Sequence, residues 1–276
     1  MSLPKPDCLT PPWGISLMIL IAITGRAPNT STHLPAVRRA QIVIDVDRFP
    51  DIDDAFYSSL GYLIGKLTPN NIPAITGLEE LAPTRDDLKS FGAAFATTSA
   101  VPMFHVIGIT PEAPTLAAVA DTDTAHLRID RTLLNDTWRE LNSADTREID
   151  LVALGNPHFS IEECERLAAL CEGNLVHERV TLAVTCARET LTAIRRSGVA
   201  ASIEASGATL IADTCWCLIG SPIVPVSAYA TITNSGKYAR YGPNETGRSV
   251  HLRSLTECAE AAWSGLAPEH PPAWLT

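Results

Sequence analysis

Four short segments of the sequence concentrate side chains able to bind or transform a small molecule. His105 stands inside the apolar run 103–109, which leads into Gly108-Ile109-Thr110-Pro111-Glu112-Ala113. Gly155-Asn156-Pro157-His158-Phe159 carries a second imidazole, at His158. Asp213-Thr214-Cys215-Trp216-Cys217 places two thiols on either side of an indole, and Thr233-Asn234-Ser235-Gly236-Lys237-Tyr238 combines an amide, a hydroxyl, a flexible glycine and a cation. The last set suits a small carboxylate or phosphate, because the ammonium supplies charge and the neutral groups supply directed hydrogen bonds. It is not a P-loop, since the glycine spacing required before the lysine is missing. An ordinary turn is the competing reading.

Thiolates bind metals, but a C-x-C pair without a second pair is a weak metal signature, and two partly buried free thiols also account for Cys215 and Cys217. Cys258 falls in the first turn of a helix that Ser254 and Glu257 would cap, where the positive end of the helix dipole favours thiolate; core packing is the alternative. Together the cysteines could supply part of a metal or iron–sulfur site, although a full set of cluster ligands is not apparent. His105 in an apolar strand reads either as a hydrogen-bonded core histidine or as a base, whereas His158 follows Pro157 in a turn that tops a strand and is the more exposed of the two. No G-x-S-x-G, H-E-x-x-H or G-x-G-x-x-G occurs. Common hydrolase, zincin and dinucleotide readings lose support accordingly.

These segments need elements to hold them. Ala40 to Val46 reads as a strand and Asp51 to Leu67 as a helix, with Phe56, Leu60, Leu63 and Ile64 at helical spacing. Pro83 to Ala96 follows as a helix, with proline in its first turn, and Met103 to Ile109 as a strand buried on both faces. Ile149 to Leu154 is a strand, Gly155 to Phe159 a turn, and Ser160 with Glu163 a capping box opening a helix to about Cys171, closed by Gly173. Val180 to Val184, Glu189 to Arg196 and Thr209 to Ala212 continue as strand, helix and strand, and Ser254 with Glu257 starts the last helix. This alternation predicts an α/β fold, mainly parallel sheet layers covered by helices. In such sheets ligands sit beyond the carboxyl ends of the strands, which is where most of the segments above fall. The small polar stretch near 142–146 suggests two α/β subdomains, 21–145 and 146–276, behind an extended, proline-bearing lead-in over 1–20.

With 276 residues the chain can bury a sizeable core, and 46% hydrophobic against 19% charged residues is ordinary globular usage. Acidic residues outnumber basic ones 31 to 21, a formal charge of −10, and no basic tract is visible, so nucleic acid is not an expected partner. The apolar run Leu17 to Ile23 is too short to span a bilayer and lacks the flanks of a signal peptide; it reads as a buried strand or helix, with no membrane association expected. Seven cysteines, an odd number at low density, fit reduced thiols in a cytoplasmic compartment.

Taken in order, Ala22-Ile23-Thr24-Gly25-Arg26-Ala27-Pro28, the segment 103–113, Gly155 to Ser160, Asp213-Thr214-Cys215 and Thr233 to Ala239 resemble the aconitase X catalytic domain, from about Ile21 to the C-terminus. The resemblance implies an aconitase-like fold and a hydro-lyase that dehydrates a small hydroxy acid. Members include cis-3-hydroxy-L-proline dehydratases and phosphomevalonate dehydratases, which hold an iron–sulfur cluster and pair a large catalytic part with a smaller swivelling part, fused or as a separate subunit. Removing water next to a carboxylate requires a base for the carbon-bound proton and an electrophile for the departing hydroxide. On this resemblance Cys215 and Cys258 are the candidate cluster ligands, His105 and Lys237 the candidate catalytic residues, and Arg26, Lys89, His158, Asn234 and Ser235 the candidate substrate contacts.

The family's large part begins well upstream with a further cysteine, and its small part brings a serine to the substrate, so an N-terminally truncated catalytic part is expected. Asn156 stands where the family has cysteine before Pro-His, and Thr97, Thr98 and Ser99 replace a Ser-Ser-Gly pattern. The rival classes are a truncated, non-catalytic binding or interaction protein that kept the α/β scaffold, and a metal-free small-molecule-binding protein.

Overall fold

The computed structural model describes residues 14–276, the side chains of residues 14–18 and of residue 217 excepted. It divides into two compact units. Residues 14–49 and Leu60–Leu134 form the first, and Pro50–Ser59 with Asn135–Thr276 form the second. The lead-in expected over 1–20 lies outside the described residues as far as residue 13, and from Gly14 the chain is helical.

The first unit carries α1 (Gly14–Thr24), β1 (Ile42–Val46), most of α2 (Asp54–Leu67), β2 (Pro73–Thr76), α3 (Arg85–Phe95), β3 (His105–Val106), the single turn α4 (Leu116–Val119) and β4 (His126–Ile129). Its four strands are all parallel in the order β3-β2-β1-β4. The strand core is apolar because parallel strands are covered on both faces; Val43, Ile44, Ala74 and Ile75 are all buried. Thr84 and Asp87 form a capping box that fixes the start of α3, and Phe91, Phe95 and Phe104 pack ring on ring with centroids 4.8 to 6.2 Å apart. Two expectations are corrected here. The apolar run 17–23 is helical, and from Ile19 onward it is not buried: Ile19, Leu20 and Ile23 are 54%, 57% and 76% exposed. The strand expected over 103–109 is only two residues long, because the chain leaves the sheet at Ile107 and folds Thr110 back onto Val106 through paired side-chain and backbone bonds.

After α5 (Arg131–Glu140), the second unit runs through β5 (Leu151–Phe159), α6 (Ile161–Cys171), β6 (Thr181–Cys186), α7 (Arg188–Ser197), α8 (Val199–Ala205), β7 (Thr209–Ala212), β8 (Ala230–Thr233), α9 (Gly236–Thr246), β9 (Ser249–Leu252) and α10 (Leu255–Ser264). Its five parallel strands lie in the order β7-β6-β5-β8-β9. Val152, Leu154, Leu167, Val184, Ile194, Ile203, Ile232 and Cys258 are among the residues of one continuous core. Both capping boxes expected from sequence, Ser160 with Glu163 and Ser254 with Glu257, are formed. Among the described residues no helix is long and apolar enough to cross a membrane.

The turn expected at Gly155 to Phe159 is instead the continuation of β5, with a register shift against β6 between Leu154 and Phe159. Gly155 makes this possible. Its φ is +90°, and a Cβ there would strike the carbonyl oxygen of Thr185, whose hydroxyl donates to Gly155 O. Gly155→Ala is therefore expected to lower the unfolding free energy by at least about 2 kcal/mol in urea titrations. Gly173→Ala provides the contrast: its φ is +73° but its surroundings are open, so a loss near 1 kcal/mol is expected. Equal losses would show that the packing against Thr185 is not limiting.

Candidate active site

The order β7-β6-β5-β8-β9 reverses direction between β5 and β8, and the crevice beyond the carboxyl ends of strands at such a reversal is where open α/β sheets take their ligands. Three loops meet there. From β5, Asn156 offers its backbone carbonyl to the hydroxyl of Ser235. Ser235 also caps α9, accepting from Tyr238 N at 3.0 Å. His158 Nε2 lies 2.8 Å from the carbonyl oxygen of Thr214, in the loop after β7. Trp216 closes the triangle, donating from Nε1 to Leu154 O at 3.0 Å and packing its ring 5.8 Å from that of Tyr238.

The segment preceding and opening α2 braces these loops from within the same unit. Gly236 N donates to Ser58 Oγ at 2.6 Å. Asn234 Nδ2 donates to Asp54 Oδ2 at 3.1 Å, and the same carboxylate accepts from Leu255 N, the first residue of α10. Asp53 accepts from Phe56 N and from Trp274 Nε1 at 2.9 Å. Burial raises the Asp54 carboxyl above its ordinary range, opposed by its bonds to Asn234 and Leu255 and by Arg166 at 3.9 Å. Burial and then the neighbouring Asp54 push Asp53 up to about 6. Sequence reading passed over both carboxylates. The run Asp51-Ile52-Asp53-Asp54 at a helix start was the available signal, but it reads first as helix capping.

The expected site residues divide between the units. In the second, Asn234, Ser235, Lys237, His158 and Cys215 belong to the three converging loops. Lys237 is half-buried in the first turn of α9 and makes no ion pair with the described residues. Ser235 is 3% exposed, with its hydroxyl already engaged. In the first unit, Arg26 is exposed in the loop after α1, and Lys89 Nζ pairs with Asp86 at 2.8 Å along α3. His105 is 1% exposed, and its Nε2 lies 2.6 Å from Arg38 O. Asn156, which the sequence singled out only as a departure from the family pattern, lies on the tail of β5, where its backbone meets Ser235.

Cys215 is exposed, whereas Cys258, in the first turn of α10, is fully buried in the core. Of the two readings open for Cys258, core packing describes its surroundings: burial, then the carboxylates Asp54 and Glu257, push its thiol well above the ordinary range. The dipole of one helix turn does not overcome desolvation among carboxylates. Among the described residues no three His, Cys, Asp or Glu side chains gather as a metal-binding group. One exposed thiol and one core thiol do not by themselves fit an iron–sulfur centre.

Residues 40–139 match the aconitase X second domain and residues 149–264 the aconitase X third domain. The chain belongs to the aconitase X family. It is 49% identical to a cis-3-hydroxy-L-proline dehydratase of Pseudomonas aeruginosa over 94% of this chain and 45% of that protein. It is 44% identical to one of Hypocrea jecorina over 94% and 44%. Identity to the phosphomevalonate dehydratase large subunit of Methanocaldococcus jannaschii is 32%, over 81% and 55%. The crystal structure of Thermococcus kodakaraensis aconitase X in its holo-form superposes with a TM-score of 0.75 at 28% identity, covering 88% of this chain and 60% of that one. The chain thus spans about half the length of the curated relatives it matches.

The raised Asp53 carboxyl has a measurable consequence. Folded, it keeps its proton up to about pH 6, whereas in the unfolded chain it loses it near 3.8. Its contribution to stability is therefore present at low pH and is lost as pH rises through about 6. Asp53→Asn keeps an acceptor for Trp274 and Phe56, and is expected to be more stable than the parent at pH 7.5 by roughly 2–3 kcal/mol, with the difference vanishing near pH 4. Urea unfolding across that range checks it. A variant less stable at every pH would show that the ionised carboxylate stabilises the fold.

Proposed function

We propose that this chain is part of an aconitase X-type hydro-lyase, and that the crevice between β5 and β8 takes the carboxylate of a small hydroxy acid. One observation carries the placement: among the described residues the Lys237 ammonium has no ion-pair partner, and it stands at the start of α9, where the helix dipole adds to its charge, at the reversal point of the sheet. The Asn156 side-chain amide makes no hydrogen bond to the described residues and serves as the second contact. Ser235 and Asn234 act as positioning residues, since the hydroxyl caps α9 and the amide is tied to Asp54. Trp216, 1% exposed, packs against Tyr238 and ties the loop after β7 to the Leu154 carbonyl.

Dehydration beside a carboxylate abstracts a carbon-bound proton and expels hydroxide, and holding the carboxylate on a cation lowers the cost of the negative charge that develops next to it. In the aconitase-type family an iron–sulfur cluster would serve as the electrophile for the hydroxide. Here its ligand set is incomplete among the described residues, so the proton and hydroxide steps are not assigned to individual groups. Cis-3-hydroxy-L-proline is the favoured substrate, because the two dehydratases of that name share 49% and 44% of residues with this chain, against 32% for the phosphomevalonate enzyme.

Mixed with the portion of the Pseudomonas aeruginosa dehydratase outside the matched region, the chain is expected to convert cis-3-hydroxy-L-proline to a product lighter by one water, read by mass spectrometry. Lys237→Met should raise KM by about tenfold or more with a smaller change in kcat, as loss of a charged hydrogen bond to bound substrate predicts. Turnover of phosphomevalonate alone would overturn the substrate, and an unchanged KM would overturn the role of Lys237.

A further inference from the structure

A second concave site lies beyond the outer edge of β9, one strand removed from the crevice. Residues 142–144 run along that edge: Ser143 N and Ala144 N donate to Val250 O, and Leu252 N donates to Asn142 Oδ1. Between this segment, the end of α5 and the chain near Pro268 is a cleft of about 320 Å³. Arg253 forms part of its wall and is only 4% exposed.

The electrostatics of Arg253 are unusual for a buried group. Its guanidinium stacks over Trp138, 4.8 Å from the ring centroid. Its hydrogen bonds go to neutral oxygens alone: Nη1 to Asn142 Oδ1 at 2.8 Å and to Leu252 O at 2.9 Å, and Nη2 to Pro268 O at 3.5 Å. Nε has no partner, and no carboxylate of the described residues lies within ion-pair distance. An arginine cannot shed its proton, and a buried charge without a counter-ion is costly. Glu257 and Asp53 act on it only from beyond ion-pair distance. Arg139 and Arg147 add two more cations to the same lining, Arg139 lying 3.8 Å from Asp136 and Arg147 3.2 Å from Glu269, and Asp145 is the second carboxylate of the lining beside Glu269. In a chain of formal charge −10, three arginines against the two carboxylates Asp145 and Glu269 leave this lining with a small excess of positive charge.

From this cleft and its unpaired buried guanidinium we infer an anion-binding site, separate from the β5–β8 crevice, that takes a small carboxylate or phosphate against Arg253, with Arg147 and Arg139 at its mouth. The ligand supplies the counter-charge that the fold itself omits. Arginine suits planar and tetrahedral oxyanions alike, so the chemistry is shared and the probes separate the two.

The test titrates the purified chain, in a chloride buffer, with inorganic phosphate and in parallel with succinate, following heat of binding and thermal midpoint. The expected result is saturable binding of at least one probe with a matching rise in midpoint, since a ligand that binds only the folded state stabilises it. Arg253→Met, which keeps an unbranched side chain on Trp138, is expected to abolish both responses. Arg147→Ala at the exposed mouth is expected to weaken binding by about three- to tenfold, and it decides the matter if the Arg253 variant fails to fold. No saturable binding of either probe overturns the inference. So does binding of undiminished affinity in Arg253→Met, or in Arg147→Ala should the first variant not fold.

Discussion

The tail of strand β5 can occupy its place only because residue 155 has no Cβ. Backbone at φ +90° lies against the carbonyl of Thr185, and the strand then continues to Phe159 instead of turning away. From that tail Asn156 meets Ser235 and His158 meets the loop after β7, while Trp216 reaches back to Leu154 O just before it. Three loops from three strands are tied to one stretch of backbone, so the position of Lys237 depends on a contact that carries no functional group at all. A site built this way is held by rigid strand ends, and its chemistry is supplied by the loops.

A second constraint is the burial of charge. Asp53 and Asp54 stand at the opening of α2, and Asp54 links Asn234 to the first amide of α10. Two carboxyls so close cannot both ionise freely, and burial holds both above their ordinary range. The segment that bears them is assigned to the second unit although the rest of α2 belongs to the first. Its hydrogen bonds explain that assignment: Asp54, Ser58 and Asp53 are satisfied by Asn234, Gly236 and Trp274 of the second unit. The same fold leaves Arg253 buried over Trp138 with only neutral acceptors, so acidic and basic groups have been sequestered without being paired to each other.

What could be read from the sequence was what local chemistry dictates. Ser160 with Glu163 and Ser254 with Glu257 announced helix starts because a cap and its reciprocal partner lie three residues apart. The strand 209–212 and the parallel α/β class followed from apolar runs alternating with helical periods. The reading of 155–159 as a turn rested on glycine and proline, which mark turns in isolation but here serve a strand that must pass close to its neighbour. Helix α9 escaped notice because Gly242 and Pro243 interrupt its pattern. Of the site, the loop residues at strand ends were legible; the pairing of Asp54 with Asn234, 180 positions away, and the isolation of Arg253 were not, since neither leaves a local trace.

Family membership and fold together narrow the chemistry to one question, whether the β5–β8 crevice receives a carboxylate on Lys237. The most direct measurement is calorimetric titration of the chain with L-proline, which carries the ring and carboxylate of the favoured substrate but has no hydroxyl to lose. The account predicts saturable binding that is retained in Arg253→Met, where the other anion site is removed, and is lost when Lys237→Met is added to that variant, with weakened binding in Lys237→Met alone. Equal affinity in the parent and in Lys237→Met would contradict it.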